Sequence, residues 1–388
     1  MDESLIGPYA RRMPDPNQGP EEPGWFSRPA GEPLSEAGSA PAAAFPAERP
    51  GQRGLHIWSA LVAAIGLGGL LLKQPELAMF TALAGLFAVA QAADLEPHYR
   101  QLYALVSWVV PVGGAATFAG LAAAFLQLDV PGFGRGVAIA AAVVGASTCV
   151  LLLWERPAHA LAEGLFRTRP VSRTVALAGR VALMGLLFCV PGQYAFRFLF
   201  NTPDGGALLD ARSLWGNLFG LTLLALGAVG FLVRRNPRAL LERLGLKGLR
   251  WSHLLVIVLG VVLLGGLNAL CEWFERSRFP GLWESDQQVN EMLVRGLSRG
   301  ETLLLGVSAG IGEELVLRGA LQPRLGIGWT ALLFASLHVQ YSWMGMVVIA
   351  LIGAVLGAIR QRASTTAAIA VHAFYDILAA IAVRMPGP

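Results

Sequence analysis

Charge is scarce in this chain. Asp, Glu, Lys and Arg make up 14% of its 388 residues and apolar types 54%, whereas soluble domains carry roughly 25% charged residues. With a mean hydropathy of +0.54, there is too little polar surface to cover a water-soluble globule. Cysteine is nearly missing too. Cys149, Cys189 and Cys271 form no CxxC pair, which excludes a disulfide framework and a zinc ribbon and leaves three small buried apolar residues. Strand-like alternation is also absent, so the expected fold class is all-α. The 30 basic residues barely exceed the 26 acidic ones. They gather in a few loops instead of a stripe, which argues against nucleic-acid binding and for orientation in a lipid bilayer.

The first stretch differs from everything after it. Residues 1–54 are rich in Pro, Gly and Ala with no helical periodicity, so a disordered tail is expected there. No short apolar core with a small-residue cleavage site precedes the apolar stretch near Leu55, so the tail is expected to be retained and not removed as a signal peptide.

A spanning helix needs about 20 mostly apolar residues. Candidates lie at 55–72, 77–93, 102–126, 133–154, 174–199, 214–233, 252–271, 301–322, 327–341, 343–360 and 365–384, predicting a polytopic transmembrane helix bundle. Breaker runs such as Lys73-Gln74-Pro75-Glu76 and Asp129-Val130-Pro131-Gly132 separate them. Two units are expected within the bundle: N-terminal helices over 55–250 and a C-terminal unit over 251–388 with its chemistry at 301–384. The loops holding Arg156, Arg167, Arg169 and Arg173, and Arg234, Arg235, Arg238, Arg243, Lys247 and Arg250, fall on one side by this count. The positive-inside rule makes that side cytoplasmic. Segment 272–300, with Val289, Met292, Leu293 and Leu297 at helical spacing, reads either as an amphipathic helix in the interface or as a loop helix packed on its neighbours.

Ionisable groups are rare in apolar helices, because one at the bilayer centre costs roughly 2.5–3.5 kcal/mol on insertion scales. Six nevertheless fall within the last few spans: Glu313, Glu314, Arg318, His338, His372 and Asp376. Such a set faces a bundle interior or a water-filled cavity and marks a function. On a regular helix Glu314 and Arg318 are one turn apart and pair, while Glu313 points about 100° away and is free to face another helix. His372 and Asp376 are likewise one turn apart. The expected centre is therefore Glu313, Glu314, His338, His372 and Asp376, with Arg318 as structural charge partner. A base that activates water, beside groups that stabilise negative charge, can hydrolyse a peptide bond. Glu313, His338 and His372 could equally hold zinc with a position open to water, although the HExxH spacing is absent.

These residues carry a resemblance. Glu-Glu-x-x-x-Arg at 313–318, Phe-x-x-x-His at 334–338 and His-x-x-x-Asp at 372–376, in order on successive segments, resemble the motif set of the CAAX prenyl protease and bacteriocin-processing (Abi) family of intramembrane peptidases. The resemblance covers about residues 285–384. It implies that Glu313, helped by His338, activates a water for attack on a peptide carbonyl. It also implies that His372 and Asp376 stabilise the oxyanion or complete the site. Asp376 stands where Asn is commoner, so it is protonated, or it orients His372, or the site binds a metal. The expected activity is endopeptidase cleavage of a membrane-associated protein or peptide, in a bacterial cell membrane on the Ala-, Gly- and Arg-rich usage. The rival readings are a non-catalytic scaffold or immunity factor and a proton-coupled transporter.

Overall fold

The computed structural model describes residues 52–127, 132–200 and 208–385 as helices and turns. The expected tail lies outside the described residues except for 52–54, which already belong to the first helix. The breaker run at 129–131 and the loop residues 201–207 lie outside them as well. In chain order the helices are α1 (Gln52–Leu71), α2 (Pro75–Leu95), α3 (Tyr99–Val106), α4 (Val109–Gln127), α5 (Gly132–Leu151), α6 (Glu155–Phe166), α7 (Arg173–Ala195) and α8 (Ala211–Val229). They continue as α9 (Pro237–Leu244), α10 (Trp251–Arg278), α11 (Pro280–Val294), α12 (Arg299–Glu314), α13 (Gln322–Ser336), α14 (Trp343–Arg362) and α15 (Thr365–Arg384). A π-helical turn, Leu315–Leu321, joins α12 to α13.

Nine helical stretches among the described residues are long and apolar enough to cross a membrane. Their outward faces are oily: along α10, Leu254, Leu255, Val258, Leu259, Val262 and Leu263 are all exposed. That surface requires lipid, and the protein is an integral, multi-pass, all-α membrane protein. The expected spans 301–322 and 327–341 are not among the nine. They form one broken unit instead, α12, the π turn and α13, because Glu301, Glu313, Glu314, Arg318 and Arg324 interrupt the apolar pattern and Gly326, at φ +75°, kinks the start of α13. The π turn at its middle is buried in protein, where irregular backbone inside a membrane is tolerated. The basic loops also contain helices: α6 and α9, each starting at a residue before an N-terminal turn and each too short to span.

Helix ends are secured by side chains. Asp210 and Ser298 head α8 and α12 with reciprocal capping boxes, and Ser342 and Ser364 cap α14 and α15. Cross-links sort the loops into two sides. On the basic side Arg243 donates to the carbonyls of Gly319 and Ala320 at 2.8 and 3.0 Å, ending the π turn, and the Thr365 hydroxyl donates to Leu244 O at 2.6 Å. On the opposite side Arg384 donates to Val294 O at 2.9 Å, and Ser342 donates to Asp286 at 2.8 Å.

The core beneath the C-terminal unit joins Leu264 of α10, Leu317 of the π turn, Leu333 and Phe334 of α13, Ile352 and Leu356 of α14 and Val371 of α15. α12 lies on α15 at glycine distance. A Cβ on Gly306 would come within 2.6 Å of Ala373 O, and one on Gly310 within 2.9 Å of both Ala373 N and Ile369 O. Backbone cannot yield there, so Gly310→Val is expected to destabilise the fold by about 1–3 kcal/mol. Gly265→Ala on α10, where a Cβ meets nothing within 4 Å, should be neutral or slightly stabilising. Thermal unfolding of both variants in detergent checks the contrast, and equal melting temperatures would contradict it.

Candidate active site

Close α12–α15 packing presses the Glu-Glu pair of one helix against the His of the other. Glu314 is fully buried and touches two cations-to-be at once. Its Oε2 lies 3.2 Å from Arg318 Nε, and its Oε1 lies 3.0 Å from His372 Nδ1. The Arg318 contact has ion-pair distance without hydrogen-bond alignment, because Arg318 sits in the π turn and not on a regular helical continuation. Arg318, also fully buried, donates from Nη2 to Gly353 O at 3.1 Å and lies over the Phe334 ring at 4.8 Å. A buried guanidinium is thereby held by a carboxylate, a carbonyl and a π face.

His372 is enclosed by acids. Besides Glu314 at Nδ1, its Nε2 faces Asp376 Oδ2 at 3.4 Å and Glu313 Oε2 at 4.0 Å. Asp376 thus faces one imidazole nitrogen and Glu314 the other, since the glycines of α12 bring that helix within reach of α15. Glu313 is the least enclosed of the three acids, with 27% of its side chain accessible and a buried Oε2 that has no hydrogen-bond partner. Glu314, by contrast, has no accessible surface with which to meet a substrate.

His338 is displaced from its expected place inside a span. α13 ends at Ser336 in tightening turns, with Leu337 N–H donating to Phe334 O at 3.3 Å and His338 N–H to Ala335 O at 3.0 Å. His338 thus stands in the loop after α13. Its Nδ1 lies 2.8 Å from Phe334 O, a carbonyl that can only accept, so Nδ1 carries the proton and Nε2 is left for the cavity. The imidazoles of His338 and His372 both stand edge-on to the Phe334 ring, with centroids 4.7 and 5.9 Å from it. One phenyl ring therefore spaces the two histidines.

Two cavities meet here. A polar one of about 340 Å³ is lined by His338, His372 and Asp376 together with residues of α10 and α11. An apolar one of about 630 Å³ is lined by Glu313 and His338 together with side chains of α2, α7, α8, α12 and α13. His338, Phe334 and Tyr341 belong to both. Glu313 and His372 approach one another across this boundary, so the expected centre is assembled from three elements. Among the described residues, no group of three His, Cys, Asp or Glu side chains is arranged to hold a metal ion, so Glu313, His338 and His372 do not fit a zinc site as they stand.

Sequence patterns did not point to the other polar residues of the wall. α11 is packed and not laid out on the surface, with Val289 and Met292 buried, and it turns Asp286 and Asn290 toward the cavity. Asp286 accepts from Ser342 N–H at 2.6 Å and from its hydroxyl, and burial pushes its carboxyl up while those bonds pull it back. Tyr341 donates to Asn290 at 2.8 Å, and burial raises its phenol. Polar residues on an amphipathic stretch read as solvent-facing, which is why they escaped notice.

Comparison with known proteins adds a family-level likeness. Residues 297–378 match the family described as type II CAAX prenyl endopeptidase Rce1-like. The C-terminal region is similar to that family. That match contains Glu313, Glu314, Arg318, His338, His372 and Asp376, and it marks the chain, at family level, as similar to CAAX-type intramembrane proteases. The uncharacterized protein YpbD of Bacillus subtilis is 25% identical over 139 residues, 35% of this chain and 70% of that protein. No solved structure matches.

Within this Rce1-like region, removing one partner of a buried ion pair strands the other charge. Arg318→Ala is therefore expected to destabilise the protein by about 3–5 kcal/mol, read as a lowered unfolding temperature in detergent. An unchanged unfolding temperature would contradict the pairing.

Proposed function

We propose that the protein is an intramembrane endopeptidase in which Glu313 activates a water held between its free carboxylate oxygen and His338 Nε2. The observation that carries this reading is the partly accessible Glu313 carboxylate on the apolar cavity, with His338 lining that cavity and the adjoining polar one. Water attacks the scissile carbonyl as its proton passes to Glu313, forming the C–O bond. The proton then reaches the departing amine, relayed through His338, as the C–N bond breaks. His372 and Asp376 act as positioning residues. The imidazole is oriented by Glu314 and Asp376 and in turn fixes the edge of Glu313. Glu314 and Arg318 anchor that arrangement and do not meet the substrate.

The two cavities support a membrane-associated protein or peptide as substrate. Its apolar part enters the chamber bounded by α2, α7 and α8, and its backbone crosses the polar cavity. The N-terminal helices then supply half of the binding site. Zinc chemistry is not invoked, because both His372 nitrogens are already faced by carboxylates and no three-ligand set is assembled.

Glu313→Gln is expected to fold normally and to lose about 10²–10⁴-fold in turnover on a membrane-peptide library reconstituted with the purified protein. Undiminished turnover would remove Glu313 as base. Asp376→Asn, whose amide oxygen still accepts from His372 Nε2, should retain a larger share of turnover than Asp376→Ala. Equal losses would end the orienting role. Dialysis against a chelator is expected to leave turnover unchanged, and a loss restored by added zinc would replace this mechanism with a metal-dependent one.

A further inference from the structure

On the basic side of the bundle, remote from the site, the loop after α9 meets the ends of two spanning helices. Gly245, at φ +70°, turns the chain out of α9, and its carbonyl accepts from Thr365 N–H at 3.0 Å. Lys247 N–H donates to Thr366 Oγ1 at 3.0 Å. The loop is thus strapped to the start of α15, and its side chains are presented outward. Between this loop, the start of α10 and the end of α14 lies an open cavity of about 860 Å³.

The lining is basic and has no acid. Lys247, Arg250, His253 and Arg362 contribute to it, and among the described residues none of the three permanently charged ones has an ion-pair partner. His253 Nδ1 accepts from Arg250 N–H at 3.2 Å, so its other nitrogen carries a proton that can be donated. Beyond this Arg250–His253 cap, the remaining first-turn N–H groups and the positive dipole end of this long helix open at the same place. Cations, a histidine donor and a helix N-terminus together form a receptor for an anion.

The surroundings specify which anion. Leu249 is 57% and Trp251 89% exposed at the rim, and the exposed apolar face of α10 begins one turn further on, at Leu254 and Leu255. An aromatic residue at the polar end of a lipid-facing stripe belongs at headgroup depth. We infer that this cavity binds the phosphate headgroup of an anionic phospholipid, whose acyl chains run down the outer face of α10. A free phosphate would use the cations and leave the apolar rim unengaged. Basic residues that serve only to orient the chain would need neither the cavity nor the open helix end.

Full-length protein in a neutral detergent, titrated with phosphatidylglycerol and with phosphatidylcholine and read by native mass spectrometry, tests this. Phosphatidylglycerol should be retained preferentially. Each of Lys247→Gln, Arg250→Gln and Arg362→Gln should weaken it about fivefold, and the triple variant roughly a hundredfold. Arg250→Lys and Arg362→Lys should retain most of the binding, as should Arg238→Gln, which lies on the same side but pairs with Glu242. The side chains are exposed, so an unfolding temperature equal to wild type shows that a loss belongs to the site. Equal binding of the two lipids, or undiminished phosphatidylglycerol binding by the folded triple variant, would overturn the inference. Complete displacement by inorganic phosphate would overturn the lipid assignment.

Discussion

A buried carboxylate shared between Arg318 and His372 governs the packing of the C-terminal helices. Glu314 is fully buried between Arg318 and His372, and in a low-dielectric interior any of the three groups would be expensive alone. Their mutual satisfaction binds α12, the π turn and α15 into one body. Arg318 then reaches Gly353 of α14 and the Phe334 ring of α13, so a single guanidinium ties α12 to both of these helices. The neighbouring glycines make this possible by letting α12 approach α15 at backbone contact.

Adjacent acids end up with different environments from this one constraint. With Glu314 committed to the interior, the preceding residue, about 100° around the helix, is Glu313 at the cavity boundary, near His372 and with part of its side chain accessible. The π turn carries Arg318, which stays within ion-pair distance of Glu314. Its own final carbonyls are satisfied by Arg243 from α9, so an irregularity in the middle of the bundle is stabilised from the basic loop. A widened turn at such a place is typical of functional sites.

The N-terminal helices gain a role from the same geometry. Side chains of α2, α7 and α8 close the apolar chamber beside Glu313, although the family match extends only over 297–378. The C-terminal helices thus carry the ionisable cluster, and helices from the rest of the bundle line much of the space beside it. α11 gives the opposing wall, turning polar residues inward where its sequence pattern alone suggested a water-facing side.

Composition and periodicity by themselves determined that this chain is an all-α membrane protein. Apolar runs of spanning length leave no other way to satisfy the backbone. The six ionisable residues were equally plain, because charge within apolar segments is costly and therefore conspicuous. Only the tertiary structure decided what surrounds each of them. Whether Glu313 or Glu314 stays accessible depends on where α15 lies, and His338 left its expected span because α13 is kinked at Gly326 and ends early. Local spacing specifies which residues share a helix face, whereas partner, depth and cavity arise from packing between segments distant in sequence. The walls built by Asp286, Asn290 and Tyr341 belong to that second class, since polar residues in a loop carry no signal until the fold encloses them.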